Sequence, residues 1–385
     1  MQNAWQSFLN EAGAVIEAGG VRHFGHPQAE TEAAAGKNII ADLSHFSLIR
    51  ARGADAENFL QAQLSNDIQS LKETSRLAAY CNAQGRALAI FRVFKSTDSF
   101  LLQLHRSLLE PTLKRLRMFV LRAQVVLESA DQELVRIGLS GPDTPRLLQD
   151  LSLAPPEKPN DCRTQNGLTL IRLPGIFPRF EIIGAYAAIQ DLWLRLKPVP
   201  MNLRPEAAPT FPLPPGEGGP KGQVRERPPQ GGLSPVGASA WAWLDIMAGI
   251  PTLFPPTVEA FVPQMANLDL IGGISFEKGC YPGQEIVART HYRGRLKQRM
   301  YRGHVQNPVP PQPGDALYAP NLPGQTAGTI VDAQPSPHGG YDLLAVIQIS
   351  SVEQAELHLE NIAGARVKIE DLPYPLGIEA RRQPV

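Results

Sequence analysis

The sequence predicts an α+β protein of two mixed subdomains followed by a small C-terminal β-barrel. Three observations carry that prediction. Between residues 36 and 201, strand-like and helix-like apolar spacings alternate, and the same theme occurs twice. Between residues 202 and 235, in "NLRPEAAPTFPLPPGEGGPKGQVRERPPQGGLSP", Pro and Gly are too dense for either helix or ladder. From Met300 onward the chain breaks into short alternating runs such as "RMYRGHV", "AGTIVDA" and "DLLAVIQI", separated by Pro and Gly turns, which is the pattern of a small closed sheet.

Taken in order, residues 1–35 are rich in Ala, Gly and Glu with weak periodicity, so a loosely ordered leader is expected there. The first subdomain is placed at 36–130. In it, "ADAENFLQAQL" sets Ala56, Phe59, Leu60 and Leu64 at helical spacing behind Asp55 as N-cap. "RLAAYC" and "RALAIFRVF" read as strands joined by a turn at Asn82 to Gly85, and "SFLLQLH" as a third. A helix beginning near Pro111 and the strand "QVVLES" complete it. The second subdomain is placed at 131–201 and 236–292, and includes "LVRIGLSG", "LTLIRLPG", "RFEIIG" and the helix "YAAIQDLWLRL". Residues 202–235 are expected to be a disordered insertion, because such composition buries too little apolar surface to offset ordering entropy. The barrel takes 293–385.

Composition narrows the function. The 37 basic residues balance 37 acidic ones, so any binding of nucleic acid or an anionic membrane has to be local. No charged-then-apolar leader opens the chain, and no apolar run approaches the ~20 residues that span a bilayer, so a cytoplasmic protein with no membrane partner is expected. The three cysteines, Cys81, Cys162 and Cys280, form neither a disulfide framework nor a C-x-x-C spacing, and a cluster held by this chain alone is not expected, since such clusters take about four ligands. None of the eight histidines sits in an H-E-x-x-H pattern and no G-x-S-x-G occurs, which argues against a zinc hydrolase or an α/β-hydrolase.

One stretch concentrates chemistry: "FEKGCYPGQEIVARTHYRGRLKQR", Phe276 to Arg299. The turn residues Tyr281, Pro282 and Gly283 precede a helical run with Ile286, Val287 and Thr290 on one side, so Cys280 falls just ahead of a helix. There the helix dipole and Lys278 would stabilise a thiolate; the alternative is a small buried hydrophobe at a bend. Downstream, Arg293, Arg295, Lys297 and Arg299 recur every second residue, and no acid occurs from Ile286 to Gly314. If this is a strand, four cations share one face, suited to a nucleic-acid backbone or the carboxylates of an acidic cofactor tail, or simply solvated.

The run "FVPQMANLDLIGGISFEKGCYPGQEIVARTHYRG" closely resembles the signature of the YgfZ family, whose core is K-G-C-[YF]-x-G-Q-E. The resemblance continues in "GADAENFLQAQLSNDI", "AAYCNAQGRALA", "AGIP" and "LPYPL". It implies a glycine cleavage T-protein-like fold, two α+β subdomains and a C-terminal β-barrel around a central channel. It further implies a folate-binding accessory protein that supports assembly or repair of iron–sulfur enzymes, including tRNA-modifying ones. The partners implied are those enzymes or cluster-assembly proteins, with a link to tRNA through them. On this resemblance Cys280 is the functional thiol and Lys278 the catalytic-site residue that tunes it. Tyr281, Gln284, Glu285, Arg289, Arg293, Gln264 and Asn267 are the expected contacts to tetrahydrofolate or a related folate. No metal ligands are implied. The alternatives are a folate-dependent aminomethyltransferase-like enzyme, or an RNA-binding module using the Arg293 to Arg299 face.

Three departures shape the expectation. In the related aminomethyltransferases the turn matching "NAQGRALAIF" leads into an Asp-Asp pair; here Ala89 and Ile90 stand there. Losing that general acid/base forfeits roughly 10²- to 10⁴-fold, which disfavours aminomethyl transfer. A Glu that pairs with the pterin in those relatives is replaced by Met247, with Asp245 two residues away. Pro282 stands where relatives carry a capping Thr, so the helix is expected to start with Pro282 at its first position, and Pro282→Thr to raise the melting temperature.

Overall fold

The computed structural model describes residues 2–18, 20–198, 232–292, 294 and 296–377. Its N-terminal residues are part of the core, which corrects the expected loose leader. Helix α1 (Gln2–Glu11) leads into the hairpin β1 (Val15–Glu17) and β2 (Gly20–His23), then α2 (Pro27–Ala34). Trp5 and Leu9 are each 1% exposed. The Trp5 ring packs edge-on against Trp193, and its Nε1 donates to Asp42 Oδ1 at 2.7 Å. The Glu30 carboxylate accepts from the backbone amides of Phe24, His26 and Gly237. Trp5, Phe8 and Leu9 stand at i, i+3 and i+4, the spacing of one helix face, so the signal for α1 is present within a stretch otherwise rich in Ala, Gly and Glu.

Strand β3 (Ile39–Asp42) and strand β4 (Phe46–Arg52) enter different sheets. The latter joins a five-stranded sheet with β5 (Ser75–Cys81), β6 (Ala87–Lys95), β7 (Ser99–His105) and β8 (Val126–Ser129), in the order β5-β6-β7-β4-β8. Helices α3 (Ala56–Gln63) and α4 (Leu109–Met118) cover it. Asp55 does not cap α3 with its side chain; that carboxylate instead accepts from the Gln124 amide.

A six-stranded sheet holds β9 (Leu134–Ser140), β10 (Cys162–Gln165), β11 (Leu168–Leu173) and β12 (Arg179–Ala185), with α5 (Thr144–Asp150) and α6 (Tyr186–Leu196) between and after them. Its order, β10-β11-β12-β9-β3-β13, takes in β3, expected in the first subdomain. It also takes in β13 (Ser234–Val236), which pairs parallel to β3 although its first two residues fall at the end of the expected disordered insertion. Residues 202–231 of that insertion lie outside the described residues.

Helix α7 (Ala238–Met247) is buried on nearly every side, because it is wedged between this sheet and the barrel. Trp243 Nε1 donates to Asp342 Oδ2 at 2.7 Å, tying α7 to a barrel strand. After α8 (Gln284–Tyr292) the closed six-stranded barrel comprises β14 (Gln298–Val305), β15 (Ala316–Tyr318), β16 (Gly328–Pro335), β17 (Tyr341–Gln348), β18 (Leu357–Leu359) and β19 (Arg366–Glu370), with α9 (Ile349–Gln354) as a lid. The barrel thus begins at Gln298, five residues later than an uninterrupted basic strand from Arg293 would place it.

Candidate functional site

The motif loop is held from both sides. Gly283 has φ +79°, and a Cβ there would lie 2.5 Å from Asn82 O and 2.5 Å from Gly85 Cα. Backbone therefore meets backbone, and only glycine at 283 lets the motif turn seat on the Asn82–Gly85 hairpin turn. Lys278 anchors the other side. Its ammonium donates to the carbonyls of Gln61 and Leu64, the unpaired carbonyl end of α3, and lies 4.9 Å from the Tyr281 ring centroid. A cation at a helix C-terminus is favourable. Burial nevertheless pushes the Lys278 ammonium down to about 8, partly opposed by the charges of Asp67 and Cys280.

Between these anchors Cys280 is exposed, whereas Cys81 and Cys162 are buried and their thiols are pushed up to about 12, chiefly by burial. Tyr281 is 7% exposed, and burial raises its phenol well above the ordinary range. Helix α8 begins after Gly283, whose carbonyl accepts from the Val287 amide. That corrects the expected helix start: position 282 precedes the cap, so a Thr there would not form the capping box, and the expected gain in melting temperature loses its basis.

The other sequence-predicted residues divide into two groups. Gln284 is half-buried, while Glu285 and Arg289 are exposed on α8. Gln264 and Asn267 are buried framework brackets. Gln264 Nε2 donates to Val287 O at 2.6 Å, and Asn267 Nδ2 to Met300 O at 2.8 Å. Their amide oxygens, Oε1 and Oδ1, are buried without a hydrogen-bond partner. Arg293 lies outside the described residues, as does Arg295. The expected four-cation face is corrected at Arg299, which is 6% exposed and forks onto Asp269 with N–O distances of 2.6 and 2.9 Å. Its pairing carboxylate comes from a distant part of the sequence, so the acid-free run did not reveal it. Lys297 is exposed. Phe276 stacks on His291 at 3.8 Å, and Tyr292 stands 69% exposed beside them.

A cavity of about 410 Å³ opens where the three parts meet. Leu77 and Arg92 line it from the first sheet, Gly175 and Ile176 from the second, Met247 and Ile250 from α7 and its exit, and Tyr374 from the barrel's tail. It is lined by neither Gln264 nor Asn267. A tighter space of about 50 Å³ shares Leu77, Arg92 and Ile250 with it, and adds Ile90, Gln103, Glu181, Trp241 and Asp245. Ile90 thus lines the tighter space. Asp245 is committed to Arg179, at 2.8 Å, and that guanidinium lies 4.1 Å from the Trp241 ring centroid.

Glu181 differs from Asp245. It is 1% exposed, burial raises its carboxyl above the ordinary range against the pull of Arg92, Arg136 and a Gln103 hydrogen bond, and its Oε1 has no partner. Gln103 Oε1 is likewise unpartnered. Sequence reading missed Arg92, Gln103, Glu181 and Tyr374; the available signal was a charged or amide residue inside otherwise apolar strands, as in "AIFRVF", "LLQLH" and "RFEIIG". Among the described residues, no three His, Cys, Asp or Glu side chains are grouped to hold a metal ion.

Comparison with known proteins fixes the class. The GCVT N-terminal domain family matches residues 10–158. The crystal structure of glycine cleavage system aminomethyltransferase T from Bartonella henselae superposes with a TM-score of 0.66 over 95% of this chain and 96% of that one, at 17% identity. The molecule is therefore a glycine cleavage T-protein-like fold with a closed C-terminal barrel. Two curated relatives are more specific. The tRNA-modifying protein YgfZ of Colwellia psychrerythraea is 30% identical over 282 residues, 73% of this chain and 76% of that protein. The YgfZ of Sodalis glossinidius is 27% identical over 340 residues, 88% and 93% respectively. The chain belongs to the YgfZ family.

Proposed function

We propose that this chain is a folate-binding accessory protein supporting the assembly or repair of iron–sulfur enzymes, including enzymes that modify tRNA, with Cys280 as its working thiol. The observation that carries the reading is Cys280 itself, the exposed cysteine of the three, displayed on a loop that Gly283 and Lys278 pin to the first subdomain. A thiol so placed is accessible to a cluster or disulfide on a partner while its backbone stays fixed. The relatives' name, tRNA-modifying protein, supports the client class.

The larger cavity, with its mostly apolar walls, has the size for a pterin ring, and in the tighter space that shares Leu77, Arg92 and Ile250 with it Glu181 Oε1 and Gln103 Oε1 are unpartnered acceptors suited to the amino and ring N–H edge of such a ligand. Arg92 lines both spaces and adds a cation there. A bound reduced folate supplies a nitrogen able to carry a one-carbon unit. Ala89 and Ile90 place no carboxylate to move a proton at that nitrogen, which favours an accessory role over aminomethyl transfer. Gln284, Glu285 and Arg289 on α8 remain proposed contacts to the ligand's outer end, and Gln264 and Asn267 act by holding α8 and β14. Calorimetric titration with tetrahydrofolate tests this: saturable binding to wild type, weakened about tenfold or more in Glu181→Gln, is expected. Absence of saturable binding removes the folate part of the reading.

A second reading, contact with RNA, is favoured by the Phe276–His291–Tyr292 group beside exposed Arg289 and Lys297. Salt-dependent retention of tRNA that disappears in Tyr292→Ala would support it, and no retention at low salt would dismiss it.

A further inference from the structure

The surface around α4 has no part in the site described above, yet it combines a groove, exposed apolar side chains and unbalanced charge. The groove, about 310 Å³, runs between Pro111, Arg115 and Met118 of α4 and the apolar Tyr80, Leu88 and Val258. At its end the chain exposes Met118 (59%), Phe119 (43%), Leu121 (88%) and, after the turn, Val126 (48%). Leu121 is held at φ +45°, a conformation that costs a branched side chain energy and here turns it outward. Leaving four large apolar groups in water on one short segment is unfavourable unless something covers them.

Charge decides what covers them. From Pro111 to Leu127 there is no Asp or Glu, but there are four cations, Lys114, Arg115, Arg117 and Arg122, in a chain whose overall charge is zero. Among the described residues no carboxylate pairs with any of the four. Arg115 Nε is buried and unpartnered. A second copy presenting the same surface would set cation against cation. A bilayer is flat and leaves the groove unfilled. Nucleic acid would meet the cations, but of the four exposed apolar groups only Phe119 can stack on a base, while Met118, Leu121 and Val126 are aliphatic and Tyr80 is 1% exposed.

We infer that the α4 groove is a docking surface for an acidic, amphipathic segment of a partner protein, whose apolar anchors enter the groove while its carboxylates meet Lys114, Arg115 and Arg122. This is independent of the folate and Cys280 readings and would stand without them.

The test uses the full chain and a fluorescein-labelled amphipathic peptide, with Leu and Phe at helical spacing and Asp or Glu elsewhere, followed by anisotropy. Saturable binding is expected, weakening as NaCl is raised, and falling about tenfold or more in Met118→Asp and in the double variant Lys114→Glu/Arg122→Glu. All three positions are exposed, so both variants should melt as wild type does. The proposal is overturned if the acidic peptide does not bind saturably, if the same peptide with Lys replacing its acids binds equally, or if neither variant weakens binding. Co-sedimentation with phosphatidylglycerol vesicles, or concentration-dependent dimerisation, abolished by these same substitutions would also overturn it and assign the surface to a membrane or to self-association.

Discussion

At the scale of single residues, Gly283 and Gly279 separate what the motif needs for shape from what it needs for chemistry. Gly283 is pressed backbone-to-backbone against Asn82 and Gly85 at positive φ, whereas a Cβ on Gly279 would meet nothing within 4 Å. Gly283→Ala is therefore expected to cost about 1–3 kcal/mol and lower the melting temperature, while Gly279→Ala leaves it nearly unchanged. Equal melting of the two variants would refute the seating of the loop on the hairpin. Lys278, read from sequence as a neighbour tuning the thiol, proves to be a clamp on the carbonyl end of α3. Local spacing located the turn and the helix after it, but the partners of Lys278, Gly283 and Arg299 lie roughly 30 to 217 residues away in the chain. No local pattern encodes contacts at such separation.

At the scale of elements, strands and helices with strong periodicity were legible, and departures occurred where one anchor or one partner strand decided the outcome. Helix α6 falls where "YAAIQDLWLRL" predicts it, and the β5–β6 hairpin turns at Asn82–Gly85 as its turn residues require. Helix α1 carries Trp5, Phe8 and Leu9 at helical spacing inside an otherwise Ala-, Gly- and Glu-rich stretch that masks it, and β13 is hidden because its pairing to β3 crosses the chain. The start of β14 is set by Arg299, whose fork onto Asp269 ties the barrel to the loop before α8, along with its bond to Gln264 O at 2.8 Å. Removing it in Arg299→Ala leaves Asp269 without its partner, and a loss of roughly 3–5 kcal/mol is expected by chemical denaturation. Arg299→Lys should recover only part of this, since one ammonium cannot reproduce two parallel bonds. Full recovery by Lys would show that charge alone, and not the fork, holds the junction.

At the scale of the whole molecule, three parts meet around α7 and leave a cavity whose lining comes from all of them. The junction carries a pH signature. Asp332, 3% exposed on the barrel strand that packs against α7, is pushed up to about 7 by burial, helped by the charge of Asp245 and opposed by a bond from Gln334. Because this lies above its ordinary 3.8, the folded chain holds the proton more tightly than the unfolded one, so this group's contribution to stability is complete below 3.8 and is lost progressively as pH rises from there through about 7. The melting-temperature advantage of Asp332→Asn over wild type should therefore be larger at pH 8 than at pH 5; an advantage that shrinks as pH rises would contradict the assignment. The fold class and the Cys280 motif were legible because periodicity and a long contiguous signature are local properties, whereas Arg92 and Gln103, paired across β6 and β7, meet Glu181 of β12 only after two sheets assemble. Cys280 is the proposed working thiol. In a bacterial strain lacking its own YgfZ protein, activity of an iron–sulfur tRNA-modifying enzyme should be restored by the wild-type chain and not by Cys280→Ala, although the purified variant melts at the same temperature. Full restoration by Cys280→Ala would contradict it.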